Sequence, residues 1–448
     1  MKEHSALLIF PRQYQMGYMK LKRDYTARRY PPLGLLYISS ALKSIGYEVD
    51  FLDETVRPVS MDVFKNNNYS FIGFYTDATT KESVAAFIAK IREVSEIPII
   101  VGGPATFLPE VFLRNRNVIV CHGEGEETIK ELASALENKA SLAGIKGISF
   151  KEGSEIINTG ARALIQDLDT IPFPDRNAIN VEDYHDHYNL NSKGIFSTIV
   201  SSRGCPMGCA YCSSSNFWGR KVRFRSVGNV MQEIVHIKQE YNVRYMDFVD
   251  DMINMNEAWL NELCDRMIRE RLNMNWSCNM FPTSMSVELL RKMRRSGANT
   301  IKLGVQSASP EILARIHRGA NSVENARQLI HNARRLGFII FLDFIFGLPG
   351  ETEDTMAQSI DFSVKTNPHI VKFYELDLLE GSELYEKRHE KAALVARTRI
   401  EEFCKAGWKK FYLRPSKFFD FFLMYMRNPL KLLRIFKHLN VFKVAIGS

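Results

Sequence analysis

The stretch STIVSSRGCPMGCAYC, residues 197–212, decides how this chain is read. Its first half is a short β-branched run of the kind that forms a buried strand. Its second half gathers Cys205, Cys209 and Cys212 in a loop loosened by Gly204, Pro206 and Gly208. The 448 residues hold seven cysteines in all, so three on one short loop point to a metal centre. An iron–sulfur cluster, held by cysteine thiolates, fits better than structural zinc, which takes four closed ligands. There is no second C-x-x-C, and Cys278 stands alone. Three cysteines on a four-iron cluster leave one iron open to a small molecule.

Downstream of this loop, strand patterns recur at about 244–249, 274–278, 299–305, 339–346 and 370–376, with helical patterns between them. The first helix begins near Ser226, where Val227, Val230, Met231, Ile234 and Val235 fall on one face. Six βα units fall short of the eight of a closed barrel, so an open partial (β/α)6 barrel is expected, TIM-like in design. In such folds the chemistry sits at the carboxyl ends of the strands, where the cysteine loop lies. Upstream, ALLIF (6–10), EVDFL (48–52), FIGFY (71–75), IPIIV (97–101) and NVIVC (117–121) alternate with helical segments. That alternation predicts an α/β, doubly wound (Rossmann-like) parallel sheet. Residues 145–160 read as a small hairpin, and a linker marked by Pro172 and Pro174 runs to about 195. The expected division is 1–145, a ligand-binding sheet domain; 146–195, hairpin and linker; 196–390, the partial barrel; and 391–448, a helical C-terminal region.

C-x-x-x-C-x-x-C with Tyr211 before the last cysteine, after the first strand of a partial barrel, resembles the radical S-adenosylmethionine (SAM) superfamily. The resemblance implies a [4Fe–4S] cluster on Cys205, Cys209 and Cys212, whose open iron chelates SAM. It implies reductive cleavage of SAM to methionine and a 5′-deoxyadenosyl radical. The other strand ends supply candidate SAM contacts. Asp250 and Asp251 follow the second strand, where many members have Gly-Gly-Glu, and either could accept from the SAM ammonium. Gln306 and Ser307 follow the fourth strand, with Gln306 where the related pattern usually has Glu. Gly347, Pro349 and Gly350 form a turn after the fifth, where backbone could approach adenine.

The first domain, with PPLGLLYISSALKSIGYEVDFLDE, IPIIVGGPATFLPEVF and VIVCHGEGEETIKELASAL, resembles the cobalamin-binding domain that precedes one class of radical SAM enzymes. A nicotinamide fingerprint is only half matched by Gly123, Gly125 and Thr128, after the fifth strand rather than the first. The resemblance implies cobalamin contacts from Tyr75, Thr76, Gly102, Gly103, Glu124 and Gly125. The D-x-H-x-x-G loop whose histidine ligates cobalt in many cobalamin folds does not occur in this domain, so no lower ligand is expected from that motif. FPDRNAI (173–179) lies where such enzymes have a short Pro-containing link.

Hydrophobic residues make up 45% and charged residues 25%, the balance of a globular protein. No signal peptide or membrane-spanning run is recognised, and the odd number of cysteines suits a cytoplasmic setting. From Lys405 onward there are ten Lys or Arg and the single acid Asp420, so the net charge of +8 resides in the tail. The body gives no electrostatic reason to expect nucleic acid. The second tail run, after Pro429, places Leu430, Leu433 and Phe436 opposite Lys431, Arg434 and Lys437. That pattern fits either a lid on the barrel or peripheral contact of 415–448 with the inner membrane surface. A lipid or isoprenoid-derived substrate is the attendant expectation.

The expected activity is cobalamin-dependent methylation of an unactivated carbon, with a small-molecule substrate and an external flavodoxin- or ferredoxin-type electron donor. No side chain is assigned as a catalytic acid, base or nucleophile. The alternatives are cyclisation, rearrangement or oxidative ring formation with the same parts, and a non-catalytic cobalamin or redox sensor.

Overall fold

Short β-branched runs near the N-terminus pair side by side because neither face of a parallel strand can be left in water. The computed structural model describes residues 4–12, 28–66, 69–186, 194–319, 322–389 and 395–426. The first sheet contains β1 (Ser5–Phe10), β2 (Glu48–Asp53), β3 (Phe71–Tyr75), β4 (Ile99–Gly102), β5 (Val118–Cys121), β6 (Ile148–Glu152) and β7 (Glu155–Asn158). Its spatial order is β2-β1-β3-β4-β5-β6-β7. The first five strands are parallel. Leu7, Ile9, Ile72 and Phe74 face one core and Ala6, Leu8, Phe71 and Ile100 the other, so the strands are covered on both sides. The order reverses between β1 and β3, which is where open α/β sheets bind ligands. The hairpin β6–β7 joins this sheet antiparallel to β5. It is therefore an edge of the first sheet rather than part of a separate linker segment.

The second sheet contains β8 (Ile195–Ile199), β9 (Val243–Phe248), β10 (Asn275–Met280), β11 (Ala298–Gln306), β12 (Ile339–Phe346) and β13 (Ile370–Glu375). They lie in sequence order and all parallel, six strands of an open barrel. The helix Val227–Tyr241 starts where Ser226 Oγ accepts from the Asn229 N–H and stops at Asn242 in the left-handed region. The helix Arg397–Tyr412 packs on β13 and on the helix Glu353–Thr366, burying Ile400, Cys404 and Phe411. The C-terminal region thus begins as barrel wall. The helix Pro415–Met426 leaves Phe419 and Phe422 exposed, and the basic run after Pro429 lies outside the described residues. No helix among the described residues is long and apolar enough to cross a membrane.

The link at 173–179 is held on both sides. Asp175 accepts from Ser39 Oγ at 2.6 Å and pairs with Lys43 Nζ at 2.6 Å, on the first helix of the sheet domain. Arg176 donates to the Thr198 carbonyl at 2.8 Å and pairs with Glu233 at 2.6 Å, inside the barrel. Arg225 pairs with the other oxygen of Glu233, and all three side chains are buried. Removing one partner of a buried ion pair strands the others without neutralisation. Glu233→Gln is therefore expected to lower stability by about 3–5 kcal/mol. Urea unfolding would show this as a lower midpoint at an unchanged slope, and an unchanged midpoint would contradict it.

Candidate active site

The cysteine loop leaves β8 and folds back on itself. Ser202–Arg203 pairs antiparallel with Arg223–Phe224, and the Cys205 N–H donates to the Gly219 carbonyl at 3.1 Å. Gly204 sits at φ +108°, and a Cβ there would stand 2.3 Å from the Lys221 carbonyl oxygen, so only glycine permits this fold-back. Further along, the Cys212 N–H donates to the Cys209 carbonyl and the Ala210 N–H to that of Ile316. None of the seven cysteines is in a disulfide. Cys209 lies close enough to Cys205 and Cys212 for its charge to act on both. Burial pushes the Cys205 thiol up to about 11 and raises Cys212 as well. A bare thiolate is disfavoured there, and bound iron charge is what would stabilise it. No three such side chains among the described residues close around a single ion.

The two adjacent aspartates have different partners. Asp251 Oδ2 accepts from Ser214 Oγ at 2.6 Å. Asp250 Oδ1 accepts from the Ser201 N–H, Ser201 Oγ and Ser202 Oγ at 3.0, 2.8 and 2.6 Å. Its Oδ2 is buried without a hydrogen-bond partner among the described residues. Burial pushes the Asp250 carboxyl up to about 6, with its hydroxyl donors opposing the rise. A buried acceptor left open in this way suits a cationic donor. Gln306 stands at φ +70°, and its Oε1 is likewise buried and unpartnered among the described residues. Ser307 is fully buried, and its Oγ accepts from the Ser309 N–H. The Gly347 and Leu348 N–H groups both donate to Glu351 Oε2, at 2.6 and 3.1 Å. The turn at Gly347–Gly350, including Pro349, is therefore braced from within by a carboxyl that burial pushes up to about 7.

An open cleft with a cavity volume of about 290 Å³ lies between the two sheets. On one side it is lined by Tyr75, Gly102, Gly103, Gly123, Glu124 and Gly125, at the carboxyl edge of the first sheet. On the other it is lined by Val200, Ser202, Arg203, Trp218, Val249, Asp250 and Asp251, at the mouth of the barrel. Gly103, at φ +116°, lies so close to the end of β3 that a Cβ would meet the Thr76 carbonyl oxygen at 2.4 Å. Thr76 itself is buried, and its Oγ1 lacks a partner among the described residues. Glu124, which lines the cleft, is also tied to the protein around it. Its carboxylate takes Arg203 at 3.0 Å, Arg223 at 3.0 Å and the Ile165 N–H at 2.7 Å. Arg203 also pairs with Glu126 and lies over the rings of Tyr37 and Trp218. Single charged residues this far apart in sequence carry no spacing signal, so Arg203, Arg223 and Glu126 escaped the sequence reading.

The Radical SAM superfamily model matches residues 199–363, and the B12 binding domain model matches 24–133. An uncharacterized methyltransferase of Pyrococcus horikoshii is 30% identical over 80% of this chain and 78% of its own length. The chain belongs to the cobalamin-binding radical SAM family. An anaerobic magnesium-protoporphyrin IX monomethyl ester cyclase of Cereibacter sphaeroides is 27% identical over 78% of this chain and 58% of its own length. Among solved structures, the radical SAM methyltransferase TsrM of Kitasatospora setae, with cobalamin and a [4Fe–4S] cluster bound, superposes with a TM-score of 0.69. It is 18% identical and covers 85% of this chain and 74% of its own, which establishes a shared fold. As a member of this family the protein uses a [4Fe–4S] cluster, SAM and cobalamin.

If Asp250 Oδ2 receives the SAM ammonium, SAM binding weakens as pH falls through about 6, where the carboxylate takes up a proton. From pH 7 to pH 5 the loss should be about tenfold, since only the ionised carboxylate offers Oδ2 as an acceptor to the SAM amino group. Anaerobic equilibrium binding of SAM would show the dependence in the wild type and its loss in Asp250→Asn. A wild type with pH-independent affinity would remove Asp250 from the contact.

Proposed function

We propose that this protein is a cobalamin-dependent radical SAM methyltransferase that alkylates a carbon of a small-molecule substrate held between its two sheets. The observation that carries the reading is the single cleft shared by the glycine edge of the first sheet and the Asp250 end of the barrel. With its cofactors bound, the cluster supplies the electron that cleaves SAM to a hydrogen-abstracting radical, and cobalamin carries the methyl group. The chain's own residues hold and shield these groups. Cys205, Cys209 and Cys212 hold the cluster. Asp250 Oδ2 and Gln306 Oε1 offer two open acceptors to SAM, with Asp250 preferred over Asp251 because its free oxygen is buried and held in place by three donors on the other. Gly102, Gly103 and Gly125 let the backbone approach a flat, bulky ligand, with Tyr75 beside them. Leu33, Tyr37, Ile38, Val200, Trp218 and Val249 give the cleft apolar walls that keep water from a radical.

Methyl transfer is favoured over ring formation by the naming of the Pyrococcus relative, which spans most of both chains. The product balance tests it. Protein reconstituted anaerobically with iron, sulfide and cobalamin, then given SAM and dithionite, is expected to form S-adenosylhomocysteine as well as 5′-deoxyadenosine. Deoxyadenosine alone would contradict methyl transfer and leave the cyclase reading. Neither product would contradict radical chemistry and support a sensor.

A further inference from the structure

Arg318 has no part in the assignments above, yet it is buried against the cysteine loop. It follows the short helix Pro310–Arg315, in a turn where His317 has a positive φ of 58°. That turn is bonded to the loop by the backbone, through the Ala210 N–H donating to the Ile316 carbonyl at 3.1 Å. Arg318 Nη1 lies 3.4 Å from Cys209 Sγ and 3.0 Å from Tyr211 Oη. Nη2 donates to the Gly304 carbonyl. The guanidinium lies over the Phe281 ring, 4.8 Å from its centroid, and the residue is only 7% exposed. Gly304 makes room for this, since a Cβ there would come within 3.2 Å of Nη2.

A guanidinium fixed by three separate contacts holds its N–H and its charge at one sulfur atom. No carboxylate is recorded against it among the described residues; its partners are a thiol, a phenol, a carbonyl and a ring. Hydrogen bonds to cysteine sulfur and nearby positive charge both favour the more negative, reduced state of an iron–sulfur cluster, more strongly where solvent is excluded. We propose that Arg318 is a positioning residue for the cluster, donating a charge-assisted N–H···S bond to the Cys209 thiolate and thereby raising the cluster's reduction potential. The step it assists is uptake of one electron by the oxidised cluster from the external donor. Arg318 itself exchanges neither proton nor electron. Tyr211, one residue before the last cysteine, then acts as a prop: its hydroxyl accepts from the same Nη1 and keeps the fork aimed at sulfur.

This inference rests on the cluster reading of the three cysteines, and metal content separates the two. Wild type, R318Q and R318K would be reconstituted anaerobically, assayed for iron and sulfide, and titrated electrochemically by the EPR signal of the reduced cluster. At full iron content R318Q is expected to hold about tenfold less reduced cluster at a fixed potential, a midpoint lower by about 59 mV for one electron. R318K keeps the charge but not the fork, and should fall between. A midpoint in R318Q equal to that of the wild type would overturn the role of Arg318 and leave the cluster intact. Wild type that binds no iron would overturn both readings. Wild type labelled with ¹⁵N at arginine gives a check that needs no variant. A nitrogen coupling to the reduced cluster is expected by pulsed EPR, and its absence would overturn the proposal.

Discussion

The arrangement of this molecule depends on one buried knot of charge. Arg203 and Arg223 of the barrel meet Glu124 and Glu126 of the first domain, and none of the four side chains is more than 7% exposed. Charges removed from water are tolerable only when fully paired, so the two domains can settle in few relative positions. Glu124 and Glu126 flank Gly125 at the carboxyl edge of one sheet, while Arg203 stands two residues before Cys205 at the mouth of the other. The knot therefore ties a ligand edge directly to the cysteine loop. Both halves of the α/β architecture put their chemistry at strand carboxyl ends, and the ion pairs hold those ends face to face across one cleft.

The link between the domains works in the same sense from the far side. Asp175 is anchored on the first helix and Arg176 in the barrel, so adjacent residues are committed to different domains. A chain segment fixed in this way is a brace rather than a tether. The apolar walls of the cleft complete the arrangement, since apolar lining lowers the local dielectric and strengthens the polar contacts beside it.

Much of the fold was legible because its cause is local. Parallel strands buried on both faces read as continuous β-branched runs, and β1 to β5 and β8 to β13 fall where those runs predict. The cysteine loop was legible for the same reason: three ligands on one loop show their spacing in the sequence. The hairpin was recognised, but its docking on β5 was not, because a pairing partner far along the chain leaves no periodic mark. The site is divided along the same line. Asp250 and Asp251 were found by position at a strand end, while the difference between them depends on Ser201, Ser202 and Ser214, which only the fold brings close. Glu124 was marked by its glycine neighbours, whereas its engagement with Arg203, 79 residues away, was not. Arg318, more than a hundred residues from Cys209, is a lone arginine until the chain folds.

The ion pairs hold the cysteine loop beside the glycine edge of the first sheet, so a cluster on one and cobalamin on the other should interact magnetically. A sample loaded with four irons and one cobalamin per chain would be poised with cob(II)alamin beside the reduced cluster and examined by EPR. The reduced cluster is expected to split the cobalt signal or speed its relaxation, relative to the same protein with the cluster oxidised. A fully loaded sample whose cobalt signal is indifferent to the state of the cluster would place the two cofactors apart and contradict the account.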